Sequence, residues 1–292
     1  LVLSLATTSL VATGSLVASA EPKTVLLAGD IAYGTAESKE AETADLVKSR
    51  SGLVITAGDN AYPLGRREDF QANYDPTWGR FRGRTRPTLG NHDYGDPGAA
   101  GYFEYFGWRA GPPGRGYYSF KAGSWRVLAL DSEACKRPRG CGPGTPQFKW
   151  LKQKLASSRE RCTLAVFHTP RFSSGYHGNE PRVGPILRLL YKNGADVVVN
   201  GHEHNYERMA PAKHTGAVDR KHGIRQFVVG TGGAALRDKG ASAVPQSRVF
   251  HTGTWGVLQM KLRKGSYNWK FLPIEGQTFE DSGKGWCHGK PK

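Results

Sequence analysis

This chain of 292 residues holds only four cysteines, and none stands in a C-x-x-C spacing. That absence excludes a zinc knuckle and a dithiol redox motif. Past residue 20 no apolar run is long enough to cross a bilayer as a helix. No block of like charge carries the net charge of +16, so the excess is spread along the chain rather than held in a tail. Internal repeats and low-complexity linkers are missing too, which excludes a solenoid and leaves no visible boundary. A single domain over residues 21–292 is expected.

What is present narrows the class further. The length suits one large domain or two small ones, and 38 glycines imply many turns. The positive field favours anionic partners: phosphate esters, nucleic acid or an acidic cell surface. The plainer alternative is a secreted protein with a basic surface. Residues 1–20 carry no charged side chain and end in Ala18-Ser19-Ala20 before Glu21. They read as a secretory signal peptide cleaved after Ala20. An uncleaved anchor is the alternative, and the small-residue ending favours cleavage. Export suits two disulfides. Four cysteines permit three pairings; Cys135 and Cys141 bracket a short loop and are paired here, leaving Cys162 with Cys287.

Strand-like apolar runs cover residues 24–28 and 53–57, each closing on Gly-Asp, with an Ala/Glu/Lys-rich helix between them over 36–50. That is a βαβ unit with a parallel pair, and ligands in such sheets lie beyond the carboxyl ends of the strands. Thr88-Leu89 leads into Gly90-Asn91-His92-Asp93, and residues 94–116 read as a long ordered loop. A hairpin is expected over 117–130, and an amphipathic helix over 146–159 buries Phe148, Leu151 and Leu155. Residues 163–167 form a strand ending on His168, and 182–192 form a helix. A strand over 196–200 then runs into Gly201-His202-Glu203-His204-Asn205-Tyr206-Glu207-Arg208. Further strands fall at 224–229, 257–262 and 267–272.

His202 and His204 are two apart, so in extended backbone both rings face one side. Five strand ends deliver Asp30; Asp59 and Tyr62; Asn91, His92 and Asp93; His168; and His202 with His204. A lone Gly-Asp is usually a turn and a lone His usually structural. The joint pattern, oxygen and nitrogen donors at one sheet edge, suits first-row metal ions.

The blocks GDIA, GDNAY, GNHD, AVFH and GHEH, in this order, make the chain resemble the metallophosphoesterase (calcineurin-like) superfamily, and within it the purple acid phosphatases. The resemblance covers roughly residues 24–275. It implies an α/β fold of two packed mixed β-sheets flanked by helices, a four-layer sandwich. It also implies two metal ions, with Asp59 bridging, Asp30, Tyr62 and His204 on the first, and Asn91, His168 and His202 on the second. The superfamily usually places a His where this chain has Ala32, which cannot coordinate. Tyr62 takes over that role. A free phenol ionises at about pH 10, so only a strongly charged ion holds it as phenolate at neutral pH. Ferric iron is implied at the first position, with Zn, Fe or Mn at the second.

The implied reaction is hydrolysis of phosphate monoesters by a metal-bound hydroxide. His92 is expected to contact phosphate, with Asp93 placed to orient it, and His177 to protonate the leaving oxygen. A solvated loop histidine is the plain alternative for His177. Tyr33 is expected to pack against the site wall, Glu207 and Arg208 to hold the histidine loop by an ion pair or backbone hydrogen bonds, and Gly230–Gly233 to form a tight turn. The expected partner is a phosphorylated small molecule or polymer, with no specific nucleic-acid recognition, no membrane span and a monomeric state. One rival is a phosphodiesterase acting on nucleotides, nucleic acid or wall phosphodiesters. The other is a non-catalytic binder of anionic surface polymer.

Overall fold

In a computed structural model, residues 21–241 and 244–289 are described. The expected signal peptide, residues 1–20, lies outside the described residues. Thirteen strands occur among the described residues. In chain order they are β1 (Lys23–Ala28), β2 (Leu53–Thr56), β3 (Thr85–Arg86), β4 (Tyr118–Ala122), β5 (Trp125–Ala129) and β6 (Cys162–Val166). Then follow β7 (Val197–Asn200), β8 (Tyr206–Met209), β9 (Arg225–Val229), β10 (Ser247–His251), β11 (Gly256–Arg263), β12 (Ser266–Pro273) and β13 (Ser282–Trp286). They form a six-stranded sheet in the order β13-β12-β11-β1-β2-β3 and a seven-stranded sheet in the order β10-β8-β9-β7-β6-β5-β4. Both are mixed: β1, β2 and β3 run parallel, as do β5, β6, β7 and β9, with antiparallel strands outside them.

The two sheets pack face to face, and the side-chain alternation of each central strand shows how. Leu164 and Val166 of β6 and Val197 and Val199 of β7 enter the core shared with Leu27, Leu258 and Met260 of the other sheet. The intervening Ala165 and Val198 point the other way, into a second core with Leu151 and Leu155 of the helix Pro146–Ala156 and Ile186, Leu187 and Leu190 of the helix Gly184–Lys192. The helix Glu40–Lys48 adds Ala44 and Val47 to the first core. Continuous Val/Leu/Ala runs are what a strand covered on both faces requires. This is the expected four-layer α/β sandwich.

Local differences have local causes. Pairing at the third strand stops at Arg86, because Pro87 has no N–H to continue the ladder; Thr88-Leu89 is irregular. Residues 94–116 include a helix, Ala100–Phe106, held by an aromatic cluster in which Tyr105 stacks on Phe70 at 4.9 Å. On the helix Pro146–Ala156, Gln147 is buried and Phe148 only half-buried. The Gln147 amide accepts from the Asp131 N–H and donates to the Asp131 carbonyl, both at 2.8 Å. The disulfides are Cys135–Cys141 and Cys162–Cys287, as the spacing suggested. No described helix is long and apolar enough to cross a membrane.

Candidate metal centre

The parallel strands β1 and β2 end side by side, and their Gly-Asp turns are stitched together. The Asp30 N–H donates to the Gly58 carbonyl, and the Ile31 N–H to the Asp59 carbonyl, both at 3.0 Å. Asp30 (φ 59°), Asp59 (φ 50°), His202 (φ 75°) and His204 (φ 28°) all lie in the left-handed region. Non-glycine residues pay about 1–3 kcal/mol each for such conformations, which persist where surrounding structure over-determines them. Gly58 has no alternative, since a Cβ there would sit 2.6 Å from Nδ1 of His168.

Each carboxylate uses one oxygen outward and one inward. Asp30 Oδ2 accepts the His202 N–H and Asp59 Oδ1 the His92 N–H, both at 2.8 Å. Inward, Asp30 Oδ1 lies 3.2 Å from the Tyr62 hydroxyl and 3.2 Å from His204 Nε2. The Tyr62 hydroxyl also touches Asp59 Oδ2 at 3.2 Å and His204 Nε2 at 3.3 Å. On the other side, His168 Nε2 is 3.1 Å from Asp59 Oδ2, 3.1 Å from Asn91 Oδ1 and 3.2 Å from His202 Nδ1. Asp59 Oδ2 is therefore common to two donor groups, one with Asp30, Tyr62 and His204, the other with Asn91, His168 and His202. His168 Nδ1 donates to the Ala57 carbonyl at 2.8 Å and His204 Nδ1 to the Ala235 carbonyl at 2.7 Å. In both rings the Nε2 lone pair is thereby aimed inward, as a metal ligand requires.

The electrostatics of the site are those of ligands crowded together. Burial opposes ionisation of Asp59, but the neighbouring His168 outweighs it and holds the carboxyl well below its usual range. Burial opposes the charged form of His168 as well, yet Asp59 pushes its pKa up to about 10. Burial and then the charges of Asp59 and Asp30 drive the Tyr62 phenol well above its ordinary value. Burial, followed by His168, lowers His202 and keeps its ring neutral. Two carboxylates, a phenol that ionises only against a strong positive charge, and imidazoles, one of them holding a proton that a cation would displace, make a donor set fitted to cations. A second cluster, Cys162, Asp196 and Cys287, also has metal-ligand spacing, but its sulfurs are consumed in the disulfide.

All nine predicted site residues come together. His92 packs on Tyr62 with ring centroids 4.3 Å apart, and Tyr33 covers the same ring at 4.7 Å. His177 stacks on His202 at 4.4 Å and 21°. Two expectations need correction. Asp93 does not touch His92; it is buried and accepts from Asn60 and from the Gly90 N–H. His92 is instead fixed by its Nδ1 donating to the Pro63 carbonyl at 2.7 Å. Glu207 and Arg208 do not pair: Glu207 accepts the Ser174 N–H at 2.9 Å, and Arg208 binds Asp281 at 2.7 Å. Gly230–Gly233 bends along the first strand end without a turn hydrogen bond of its own, its Gly232 N–H donating to the Gly29 carbonyl at 3.0 Å.

Two residues were not foreseen. Glu203, fully buried, accepts the His177 N–H at 2.9 Å and lies 3.5 Å from His177 Nδ1. Arg237 Nη1 donates to His177 Nε2 at 2.9 Å. Glu203 stands between the two histidines of the motif, where its sequence position was itself the signal. Arg237 sits in a polar stretch with no motif, and only the fold brings it there.

The architecture is shared with a purple acid phosphatase from yellow lupin (Lupinus luteus) seeds, at TM-score 0.68 and 18% identity over 90% of this chain and 53% of that one. The chain is 28% identical to an Fe(3+)-Zn(2+) purple acid phosphatase of Arabidopsis thaliana over 211 residues, 64% of this chain and 43% of that protein. It is 25% identical to a nucleotide pyrophosphatase/phosphodiesterase of Hordeum vulgare over 249 residues, 71% of this chain and 64% of that protein. It spans between 34% and 44% of the length of five plant purple acid phosphatases it matches. The calcineurin-like phosphoesterase model matches residues 8–206. With that match covering every strand end from Asp30 to His204, the chain belongs to the calcineurin-like phosphoesterase family.

Proposed function

We propose that this protein is a secreted phosphatase that hydrolyses phosphate monoesters at a binuclear metal centre. The observation that carries the proposal is Asp59 Oδ2, one atom facing two converging donor groups. Asp30, Tyr62, Asp59 and His204 would hold the first ion, and Asp59, Asn91, His168 and His202 the second. The Tyr62 phenol, surrounded by carboxylates, favours Fe(III) in the first position, with Zn, Fe or Mn in the second; a relative named for an Fe(3+)-Zn(2+) pair supports this. When bound, such a pair supplies a water acidic enough to attack near neutral pH and a clamp on the phosphoryl oxygens.

The chain's own residues do the rest. His92, its Nδ1 pinned by Pro63, offers Nε2 to a phosphoryl oxygen. His177 protonates the leaving oxygen. Arg237 now donates to His177 Nε2, so it leaves that nitrogen when the anion arrives and its guanidinium turns to the phosphate. The two disulfides support export, and residues 21–292 are taken as one catalytic domain that acts as a monomer.

Metal analysis with a visible absorption spectrum tests the centre: a tyrosinate-to-iron charge-transfer band is expected in the native protein and absent from Tyr62→Phe. A band that survives the substitution overturns the ligand assignment. The barley relative's name favours a second reading, a phosphodiesterase. Turnover of p-nitrophenyl phosphate well above that of its bis ester is expected; the reverse order would favour the second reading. A metal-loaded protein inert to both would favour a non-catalytic binder.

A further inference from the structure

A cleft of about 810 Å³ lies between the loop through Arg115 and the disulfide loop Cys135–Cys141. That volume is in the range of sites for sizeable ligands. Arg115 rises on one wall, Arg137 and Arg139 on the other, and all three are exposed. None forms a salt bridge among the described residues, unlike Arg126, Arg182 and Arg208. Two of them are held by aromatic faces. The Arg137 guanidinium lies 4.4 Å from the Tyr94 ring centroid and that of Arg115 4.8 Å from Tyr117. Stacking on a ring holds the guanidinium plane and leaves its N–H fork free.

The floor is already satisfied. Asp131 accepts from the Tyr94 hydroxyl at 2.8 Å and from the N–H groups of Glu133 and Ala134 at 2.9 and 3.2 Å. Three of its roughly four lone-pair sites are thus used, the nearby charge of Arg137 favours its ionised form, and the remaining hydrogen-bonding capacity of the rim is arginine. The cleft also shares two turns with the metal centre. Tyr94 lies three residues after Asn91, and Ser132 Oγ accepts the N–H of Thr169, next to His168, at 2.9 Å.

We propose that this cleft binds the phosphate-bearing chain of an extended substrate, holding phosphate groups distant from the one cleaved. Opposed arginines across an open cleft match a string of phosphates, each offering oxygens to a planar fork. The hydrolysis of the chain's end rests on the phosphatase reading; the binding does not.

The probe is fluorescently labelled inorganic polyphosphate, titrated by anisotropy into the full chain at physiological salt. Three proteins are compared: native, Arg115→Ala/Arg137→Ala/Arg139→Ala, and the charge-matched Lys261→Ala/Arg263→Ala/Lys284→Ala on the face of β11 to β13. Loss of about tenfold or more in affinity is expected for the cleft variant, with a shallower salt dependence, and less than about twofold for the other. Equal losses in both, or none in the cleft variant, would overturn the proposal and leave only the general positive field. The single variant Arg137→Ala repeats the test should the triple fail to fold. A native protein that binds polyphosphate but hydrolyses neither it nor p-nitrophenyl phosphate would sink the phosphatase reading and leave the cleft standing.

Discussion

Tyr62 has no neighbour that wants its phenolate. Asp30 and Asp59 are each 3.2 Å from its oxygen, and the phenol is buried. A metal ion that ionises it must overcome both effects, which is why this residue would report the charge of an ion bound at the proposed centre. Tyr62→Phe removes one proposed ligand without opening a cavity, so folding should be kept while activity falls by at least about 100-fold; thermal melting and turnover measured together check this. The Glu203–His177–Arg237 chain makes a different prediction. Arg237→Ala should raise KM for phosphate monoesters about tenfold with kcat little changed, because it removes a charge that binds ground state and transition state alike. His177→Ala should instead depend on the leaving group. A loss of about 100-fold is expected with an alkyl phosphate and under about tenfold with p-nitrophenyl phosphate, whose oxygen leaves without a proton. Equal losses would show that His177 only positions.

The elements were legible to different degrees. Strands covered on both faces, β1, β2, β6, β7 and β9, announce themselves as Val/Leu/Ile/Ala runs. The strands left unread lie at or near sheet edges or contain little to bury. β13 reads Ser-Gly-Lys-Gly-Trp, and its glycines are there because Tyr267 and Trp269 of β12 lie flat against them. β10 is a half-exposed edge, and β8 begins inside the histidine motif. The helix Ala100–Phe106 hid among Gly, Pro and aromatics because its stability comes from ring packing, not from helix propensity.

Glu160, just before β6, clips that strand to the hairpin. It binds Arg126 of β5 at 2.7 Å and Lys121 of β4 at 2.9 Å. Burial resists its ionisation, but these two partners lower its pKa from 4.5 to about 2. Its contribution is thus complete above about pH 4.5 and is lost as pH falls toward 2. Since Lys121 is exposed to solvent, about 1–2 kcal/mol is the expected size. Glu160→Gln should melt lower than the native protein at pH 7, and the gap should narrow as the pH is brought down through 3 and close only near 2.

At the scale of the molecule, the two disulfides close very different loops. Cys135–Cys141 spans 6 residues and Cys162–Cys287 spans 125. Chain entropy assigns about 2 kcal/mol to the first and about 5 kcal/mol to the second. The second also ties the end of the chain to β6, where Asp196 accepts the His288 N–H at 2.7 Å and the Thr163 N–H at 2.8 Å. Cys162→Ser/Cys287→Ser should therefore lower the melting temperature much more than Cys135→Ser/Cys141→Ser. Equal shifts would mean that strain or residual structure, not loop closure, sets the stability.

The sequence by itself determined the nine residues expected to meet, most of them just past buried strands; that those strands belong to two packed sheets, and that Glu203 and Arg237 join them, came from the fold. The sequence also determined the pairing of the cysteines and the family. Side-chain partners were another matter. That Asp93 serves Asn60 and not His92, that Arg208 turns to Asp281, and that Arg237 reaches His177 were decided by tertiary structure alone. Motif spacing fixes where a backbone goes. The partner of a side chain depends on which distant loop packs beside it, and no periodicity along one segment encodes that.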